Sequence, residues 1–226
     1  MHHIEKLVSQ EAFNKFKIYE KLLQTWNRRT TLVQKDTLGD FYNRHILDSL
    51  QIIPLIEHFV SELPLLIKLS TIISQPDTRL DKPSESVANI SIVDVGTGAG
   101  FPGLVLAMCG FKNVTLCESN HRKCIFLEEV ARQTHTDVCI VNQRIEEIDQ
   151  KFDLMVSRAC TDLNGLCSMM QQVSRTSSFG IFHKGKNWKE EVRVARKRWD
   201  FDMECYQSLT SETGSIIFLY KLERVF

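Results

Sequence analysis

The chain has 226 residues, 43% of them apolar and 25% charged, and its 28 basic side chains are balanced by 28 acidic ones. That is long enough to bury a core without disulfides and too apolar for a disordered chain. Zero net charge excludes a basic field over the whole molecule, so any nucleic-acid surface has to be a local patch.

In chain order, Met1–Lys6 is polar and runs into an amphipathic pattern, unlike a secretory leader. Glu11 to about Arg29 is predicted helical, because Phe13, Phe16, Tyr19, Leu23 and Trp26 recur at three- and four-residue intervals. A second helix is predicted over Gly39–Phe59, with His45 and Asp48 on one face and Pro54 as a break or kink. The two could pair or bracket a substrate entrance, and a lone helical His–Asp pair most often serves packing. The most apolar stretch, Ile52–Ile73, carries Pro54, Glu57, His58, Glu62, Pro64 and Lys68, too heavy a load for a membrane span. Ser70–Asn89 has the composition of a loop or linker.

From Asn89 onward the pattern alternates. Strand-like Ile90–Val95, Val114–Glu118, Val138–Asn142, Phe152–Ser157 and Phe179–His183 are interleaved with helical Pro102–Cys109, His121–Gln133, Asp162–Val173 and Trp188–Trp199. This predicts a parallel sheet covered by helices. The β-favouring tail Ser215–Leu222 follows a turn at Glu212-Thr213-Gly214, and two strands joined there would close one edge of the sheet. The seven cysteines form no Cys-x-x-Cys pair and read as reduced, mostly buried thiols of a cytoplasmic protein. The histidines are scattered, and no metal site is expected.

The clearest chemical signal is Ile92-Val93-Asp94-Val95-Gly96-Thr97-Gly98-Ala99-Gly100-Phe101-Pro102-Gly103. A β-branched run ends in a glycine-dense turn that opens a helix, with Pro102 in its first turn. Gly98-x-Gly100-x-x-Gly103 formally matches a dinucleotide fingerprint, a weak pattern by itself. Asp94 argues against it, since a carboxylate 4 Å from a phosphate meets roughly 4 kcal/mol of repulsion at a surface-like dielectric. S-adenosylmethionine offers an ammonium and a sulfonium instead, and an acid beside the turn suits it. The plainer role for Asp94 is a helix cap. Glu118, ending the next strand, can accept two ribose hydroxyls. Ile145 and Glu146, after the third strand, are placed to hold an adenine or else belong to an ordinary loop, and pattern alone does not choose. Arg158 follows a strand whose end faces the ligand crevice, where it could bind a phosphate, a base edge or a cofactor carboxylate, or pair with a nearby acid.

These residues carry a resemblance. The chain resembles the bacterial 16S ribosomal RNA guanine-N7 methyltransferase family, also called the glucose-inhibited division protein B family, from about Tyr19 to Tyr220. The similarity rests on Trp26-Asn27, Arg44-His45-Ile46-Leu47-Asp48-Ser49, the glycine turn, Glu118-Ser119, Arg144-Ile145-Glu146, Ser157-Arg158-Ala159 and Lys184-Gly185. It implies an α/β, Rossmann-like class I S-adenosylmethionine-dependent fold, with a mostly parallel seven-stranded sheet and an N-terminal helical extension. The implied division is an extension over 1–60, an insertion or linker over 61–89 and a methyltransferase domain over 90–226. It implies cofactor contacts from Gly96, Phe101, Ile145, Glu146 and Arg158, beside the Asp94, Gly98 and Glu118 read above. Arg158 and Lys184 are candidates for positioning substrate or cofactor. The implied partner is the 16S RNA of the small ribosomal subunit in the cytoplasm, with no membrane and a monomeric enzyme. Three departures stand out: Thr31 replaces the usual Asn, His183 the common Leu before Lys-Gly, and the segment between Leu50 and Ser91 is longer.

Guanine N7 attacks through an in-plane lone pair and loses no proton, so the expected chemistry needs alignment rather than a base. The sequence has neither a Pro-Cys nucleophile nor an Asn/Asp-Pro-Pro-aromatic motif. A basic run from Lys184 to Arg198, interleaved with Trp188 and Trp199, and an upstream group of Arg28, Arg29, Lys35 and Arg44 are candidates for gripping RNA phosphates. The two tryptophans are expected to pack inward. The competing readings are a methyltransferase for another RNA base or substrate, and a non-catalytic RNA-binding assembly protein.

Overall fold

The computed structural model describes residues 2–61 and 79–225. Its strands are β1 Ser91–Val95, β2 Asn113–Cys117, β3 Cys139–Val141, β4 Phe152–Arg158, β5 Ser174–Lys184, β6 Trp199–Gln207 and β7 Ser215–Arg224. They form one seven-stranded sheet in the order β3-β2-β1-β4-β5-β7-β6. β1 pairs parallel with β2 and β4, and β7 runs antiparallel to both its neighbours, β5 and β6. The order reverses between β1 and β4, where crossovers diverge to opposite sides and open a crevice at the strands' carboxyl ends.

The sheet is buried on both faces because its apolar residues do not alternate with polar ones; each strand feeds two cores instead. Ile92, Leu154, Val156, Ile181, Ile216 and Phe218 point into one core. Their neighbours Val93, Met155, Phe182, Ile217 and Leu219 point into the other.

The N-terminal extension closes the first core. Helix α1 spans His2–Leu7 and α2 spans Gln10–Trp26. Ser9 caps α2 by accepting from the Ala12 N–H, and the helix buries Phe13, Phe16, Tyr19 and Leu23 completely, each contributing roughly 1.5–3 kcal/mol gross. The predicted second helix over Gly39–Phe59 is broken into pieces. A 3-10 turn, Lys35–Asp40, leads into a π-helical stretch, Tyr42–Leu47, and a single turn, α3 Asp48–Leu50. After a turn at Gln51–Ile52, α4 spans Ile53–Ser61. Pro54 therefore sits in the first turn of a new helix, where its missing N–H is harmless, and the break precedes it.

Residues 62–78, most of the segment read as an insertion, lie outside the described residues. Beyond them α5 Glu85–Ala88 leads to β1. The remaining helices are α6 Gly103–Met108, α7 His121–Thr134, α8 Leu163–Val173 and α9 Trp188–Ala195. The last ends four residues before the predicted Trp199, which instead opens β6, is buried and donates its indole N–H to Asn164. Trp188 packs half-buried against the second core. No helix among the described residues is long and apolar enough to cross a membrane.

Candidate active site

The turn after β1 is fixed from beneath. The N–H groups of Gly96 and Thr97 both donate to the Cys117 carbonyl of β2, at 3.0 and 3.2 Å. Gly96 and Gly98 have φ of +64° and +62°, in the left-handed region that favours glycine. Their surroundings differ. A Cβ on Gly96 would lie 2.6 Å from Cys160 Sγ, whereas one on Gly98 would meet nothing nearer than 3.8 Å. Gly96 is thus required by packing, while Gly98 leaves open space beside the backbone.

Asp94 lies under this turn, completely buried. Its Oδ2 accepts from Thr97 Oγ1 at 2.6 Å and from the Gly103 N–H at 2.8 Å, capping α6. Its Oδ1 has no partner among the described residues. Burial raises its pKa to about 7 against the opposing hydrogen bonds from Thr97 and Gly103. The helix-cap role is therefore present in the geometry. Glu118, also buried, accepts from the Gly98 N–H at 3.1 Å and the Asn120 N–H at 2.8 Å. The segment after β3 is tied to it: the Glu118 N–H donates to the Val141 carbonyl, and Asn142 Nδ2 donates to the Glu118 carbonyl. Farther along, Ile145 is packed into the second core and Glu146 is exposed.

A cleft of about 700 Å³ opens above the reversal point. The glycine turn (Gly96, Gly98, Phe101) and Arg158 form one wall, the extension (Thr31 to Gln34, Arg44, His45, Asp48) a second, and His183, Lys184 and the β6–β7 turn a third. Of the predicted residues, Gly96, Gly98, Phe101, Arg158 and Lys184 line this cleft together; Asp94, Glu118, Ile145 and Glu146 do not.

Arg158 joins the walls. Its Nη1 donates to the Arg44 carbonyl at 2.9 Å and to Asp48 Oδ2 at 3.0 Å, and its Nη2 to His45 Nδ1 at 3.0 Å. The guanidinium also lies 4.9 Å above the Phe101 ring. His45 and Asp48 do not pair with each other; both turn to Arg158, in a segment whose helical winding is locally π. Asp48 Oδ1 accepts from Gln51 Nε2 at 2.7 Å and Thr210 Oγ1 at 2.6 Å. Burial would raise the Asp48 pKa, but His183, Arg158 and the Thr210 hydroxyl bring it below the usual carboxylate value. His183 donates from Nε2 to the Asp48 carbonyl at 2.8 Å. Thus one departure from the family pattern braces the extension, and another, Thr31, is on the cleft rim. Lys184 Nζ is engaged by the Thr161 carbonyl at 2.8 Å and Glu191 Oε2 at 2.5 Å. Ala159, just after Arg158, has φ +54°, a conformation costing a non-glycine residue about 1 kcal/mol or more, which turns the chain out of β4.

The ring stack around Phe101 has no signature in the sequence. Tyr19, read as part of a core stripe, stacks on Phe101 at 5.1 Å and donates its hydroxyl to the Ala99 carbonyl within the glycine turn. His45 stacks on Phe101 at 4.8 Å. The β6–β7 turn carries Thr210 to Asp48 and the Leu209 N–H to Gln51 Oε1, with no local signal in its sequence.

A sheet in this strand order, with a glycine turn after β1 at the reversal point, is the fold of the class I S-adenosylmethionine-dependent methyltransferases. Ribosomal protein L11 methylase from Lactobacillus delbrueckii subsp. bulgaricus shares it, with a TM-score of 0.50 and 15% identity over 77% of this chain and 79% of that one. The family model for rRNA small subunit methyltransferase G matches residues 12–65 and 81–216, so the chain belongs to that family. The unmatched stretch between, 66–80, falls in the lengthened segment. Ribosomal RNA small subunit methyltransferase G of Rickettsia felis is 33% identical over 218 residues, 96% of this chain and 98% of that protein. The protein of the same name from Rickettsia rickettsii (strain Sheila Smith) is 34% identical over the same shares.

Proposed function

We propose that this protein transfers the methyl group of S-adenosylmethionine to N7 of a guanine in the 16S RNA of the small ribosomal subunit, as a cytoplasmic monomer. The observation that carries the reading is the junction of Arg158 with the extension and the glycine turn at the sheet's reversal point, in a member of a small-subunit rRNA methyltransferase family.

The residues fit this donor. Gly98 leaves room for a ligand against the backbone, and Glu118 stands at the end of β2 where ribose hydroxyls are accepted. Gly96, Gly98, Phe101 and Arg158 would hold it from the cleft wall, with Glu118 at the end of β2 and, off that wall, Ile145 and Glu146 after β3 reaching its far end, and Asp94 fixing the turn from below. When bound, the donor supplies an electrophilic methyl on a cationic sulfur.

N7 uses an in-plane lone pair and releases no proton, so the cleft has no need of a free base. Its acceptors suit that chemistry because each is engaged. His45 lies between Arg158 and Thr37, Asp48 holds Arg158, Gln51 and Thr210, and Glu191 holds Lys184 and the Leu163 N–H. Arg158, rigidly held, contributes alignment. Incubating the protein with labelled S-adenosylmethionine and unmodified small subunits should place label on 7-methylguanine in 16S RNA, read by mass spectrometry of nuclease fragments. Label on another atom would overturn the N7 assignment, and none at all would overturn the activity.

A further inference from the structure

The sequence offers two basic regions, and the structure separates them. In the C-terminal run, Lys184 alone lines the cleft, and Glu191 neutralises it. Arg193 pairs with Glu190 at 2.5 Å, and Arg196 lies over the Phe201 ring and 3.9 Å from Asp200. None of Lys186, Lys189, Arg193, Arg196, Lys197 or Arg198 reaches the cleft wall.

The N-terminal rim is different. Thr31–Gln34 and Arg44 line the cleft, and Arg28, Arg29, Lys35 and Arg44 are all exposed. The rim is rigid: Asn27 Oδ1 accepts from the Leu32 N–H at 2.8 Å and the Val33 N–H at 3.0 Å, and Thr37 is fixed to the Gln34 carbonyl and to His45. Among the described residues these four cations are in no ion pair, and neither are Lys186, Lys189, Lys197 and Arg198; the rim is set apart by Arg44 on the cleft wall and by Arg28, Arg29 and Lys35 flanking its cleft-lining Thr31–Gln34. The acids interspersed with them are Asp36 and Asp40, and Asp40 accepts from Asn43. Four cations against two acids leave a net positive edge on the extension wall, to which Arg158 bonds from the opposite side.

We propose that the rim formed by Arg28, Arg29, Lys35 and Arg44 is the surface that carries the RNA phosphate backbone past the cleft, and that the denser basic run after Lys184 is not. This rests on the function proposed above and assigns its substrate a path. A phosphate contact releases condensed counterions, so it shows in the salt dependence of binding. Each contact adds roughly 0.7 to 0.9 to the slope of log K against log salt. A neutralised or remote cation adds little.

The test is equilibrium binding to unmodified, transcribed 16S rRNA over a salt series, with calorimetric binding of S-adenosylmethionine as the control for an intact cleft. The variant R28Q/R29Q/K35Q, which leaves the cleft-lining Arg44 in place, should lower the slope by about 2–3 and weaken binding at 0.1 M salt on the order of 100-fold or more, with donor affinity unchanged. R193Q/K197Q/R198Q should keep the wild-type slope. The reverse pattern, or a rim variant with full slope while the wild type methylates rRNA, overturns the surface alone. A wild type that neither binds nor methylates rRNA overturns it together with the reading on which it rests.

Discussion

Arg158 Nη2 donates to His45 Nδ1 across 3.0 Å, from the end of β4 to the π-helical stretch of the extension. A guanidinium nitrogen only donates, so Nδ1 is the bare ring nitrogen and Nε2–H points to Thr37 Oγ1 at 3.1 Å. Burial, and then the Arg158 charge, push the His45 pKa down to about 3. The imidazole is therefore a neutral spacer with one fixed tautomer, unsuited to proton transfer at neutral pH.

This neutrality has a signature in stability against pH, and Asp94 opposes it. Between about pH 4 and 6.5, unfolded His45 binds a proton that the folded ring lacks, so its contribution makes stability rise with pH. Asp94 has a folded pKa of about 7, so in the same window the folded state holds a proton that the unfolded chain releases, and stability falls with pH. His45→Gln, whose amide can keep both hydrogen bonds, should shift the stability–pH slope downward by about one proton, roughly 1.4 kcal/mol per pH unit. Asp94→Asn should shift it upward by a similar amount. Urea unfolding at several pH values across the window measures both, and shifts of the same sign in the two variants would refute the assignment.

Arg158 should be more sensitive to shape than to charge. Its fork serves three acceptors, and Asp48 is a mostly buried carboxylate that loses its charged partner without it. Arg158→Ala should cost about 3 kcal/mol, as expected for breaking a buried pair, with methyl transfer reduced at least on the order of 100-fold by lost alignment. Arg158→Lys should restore more than half of the stability and little of the activity. Thermal unfolding and kcat on small subunits, run side by side, read this split; a lysine variant with near-normal kcat would show that charge alone suffices.

The sheet was legible because its signal is local. Ile92-Val93, Leu154-Met155-Val156 and Ile216 to Leu219 are apolar on both sides of the strand, and turn residues punctuate them. The glycine turn was legible for the same reason: its backbone conformation needs particular residues at particular positions. The supports of Arg158 were not. Residues 44–48 read as ordinary helix, and nothing in their spacing announces a π-helical winding that brings His45, the Arg44 carbonyl and Asp48 to one guanidinium. The contact of Thr210 with Asp48 spans 162 positions and depends on how the β6–β7 turn meets the extension. Phe101, which the resemblance implies as a cofactor contact, lines the cleft but is only 2% exposed between Tyr19 and His45, a packing that its place in the glycine turn does not announce.

The two glycines should fail differently. Gly98→Ala meets open space and is opposed mainly by its positive φ, so it should lower stability by about 1–2 kcal/mol and reduce donor affinity more than 10-fold by filling ligand space. Gly96→Ala drives a methyl into Cys160 Sγ as well, and should be partly rescued by Cys160→Ala. Calorimetric donor binding and chemical unfolding separate the cases. Undiminished donor binding by a folded Gly98→Ala protein would place the ligand elsewhere.

Tyr19 connects core stability to the ligand turn, which makes Tyr19→Phe informative. The ring is fully buried and keeps its stack on Phe101 after the change, so little apolar burial is lost. What disappears is the hydroxyl that donates to the Ala99 carbonyl, leaving a polar group of the glycine turn without that donor. Loss of one such buried bond costs about 1–2 kcal/mol. Because Ala99 sits between Gly98 and Gly100, part of that cost should appear as looser ordering of the turn, with faster amide exchange at Gly98 to Phe101 and a several-fold weaker donor affinity. Helix α2 itself should exchange as before, since its cap at Ser9 and its buried phenylalanines are untouched. Exchange that quickens equally along α2 and the turn would mean that Tyr19 acts only as a core residue, and the coupling between extension and ligand turn would have to be abandoned.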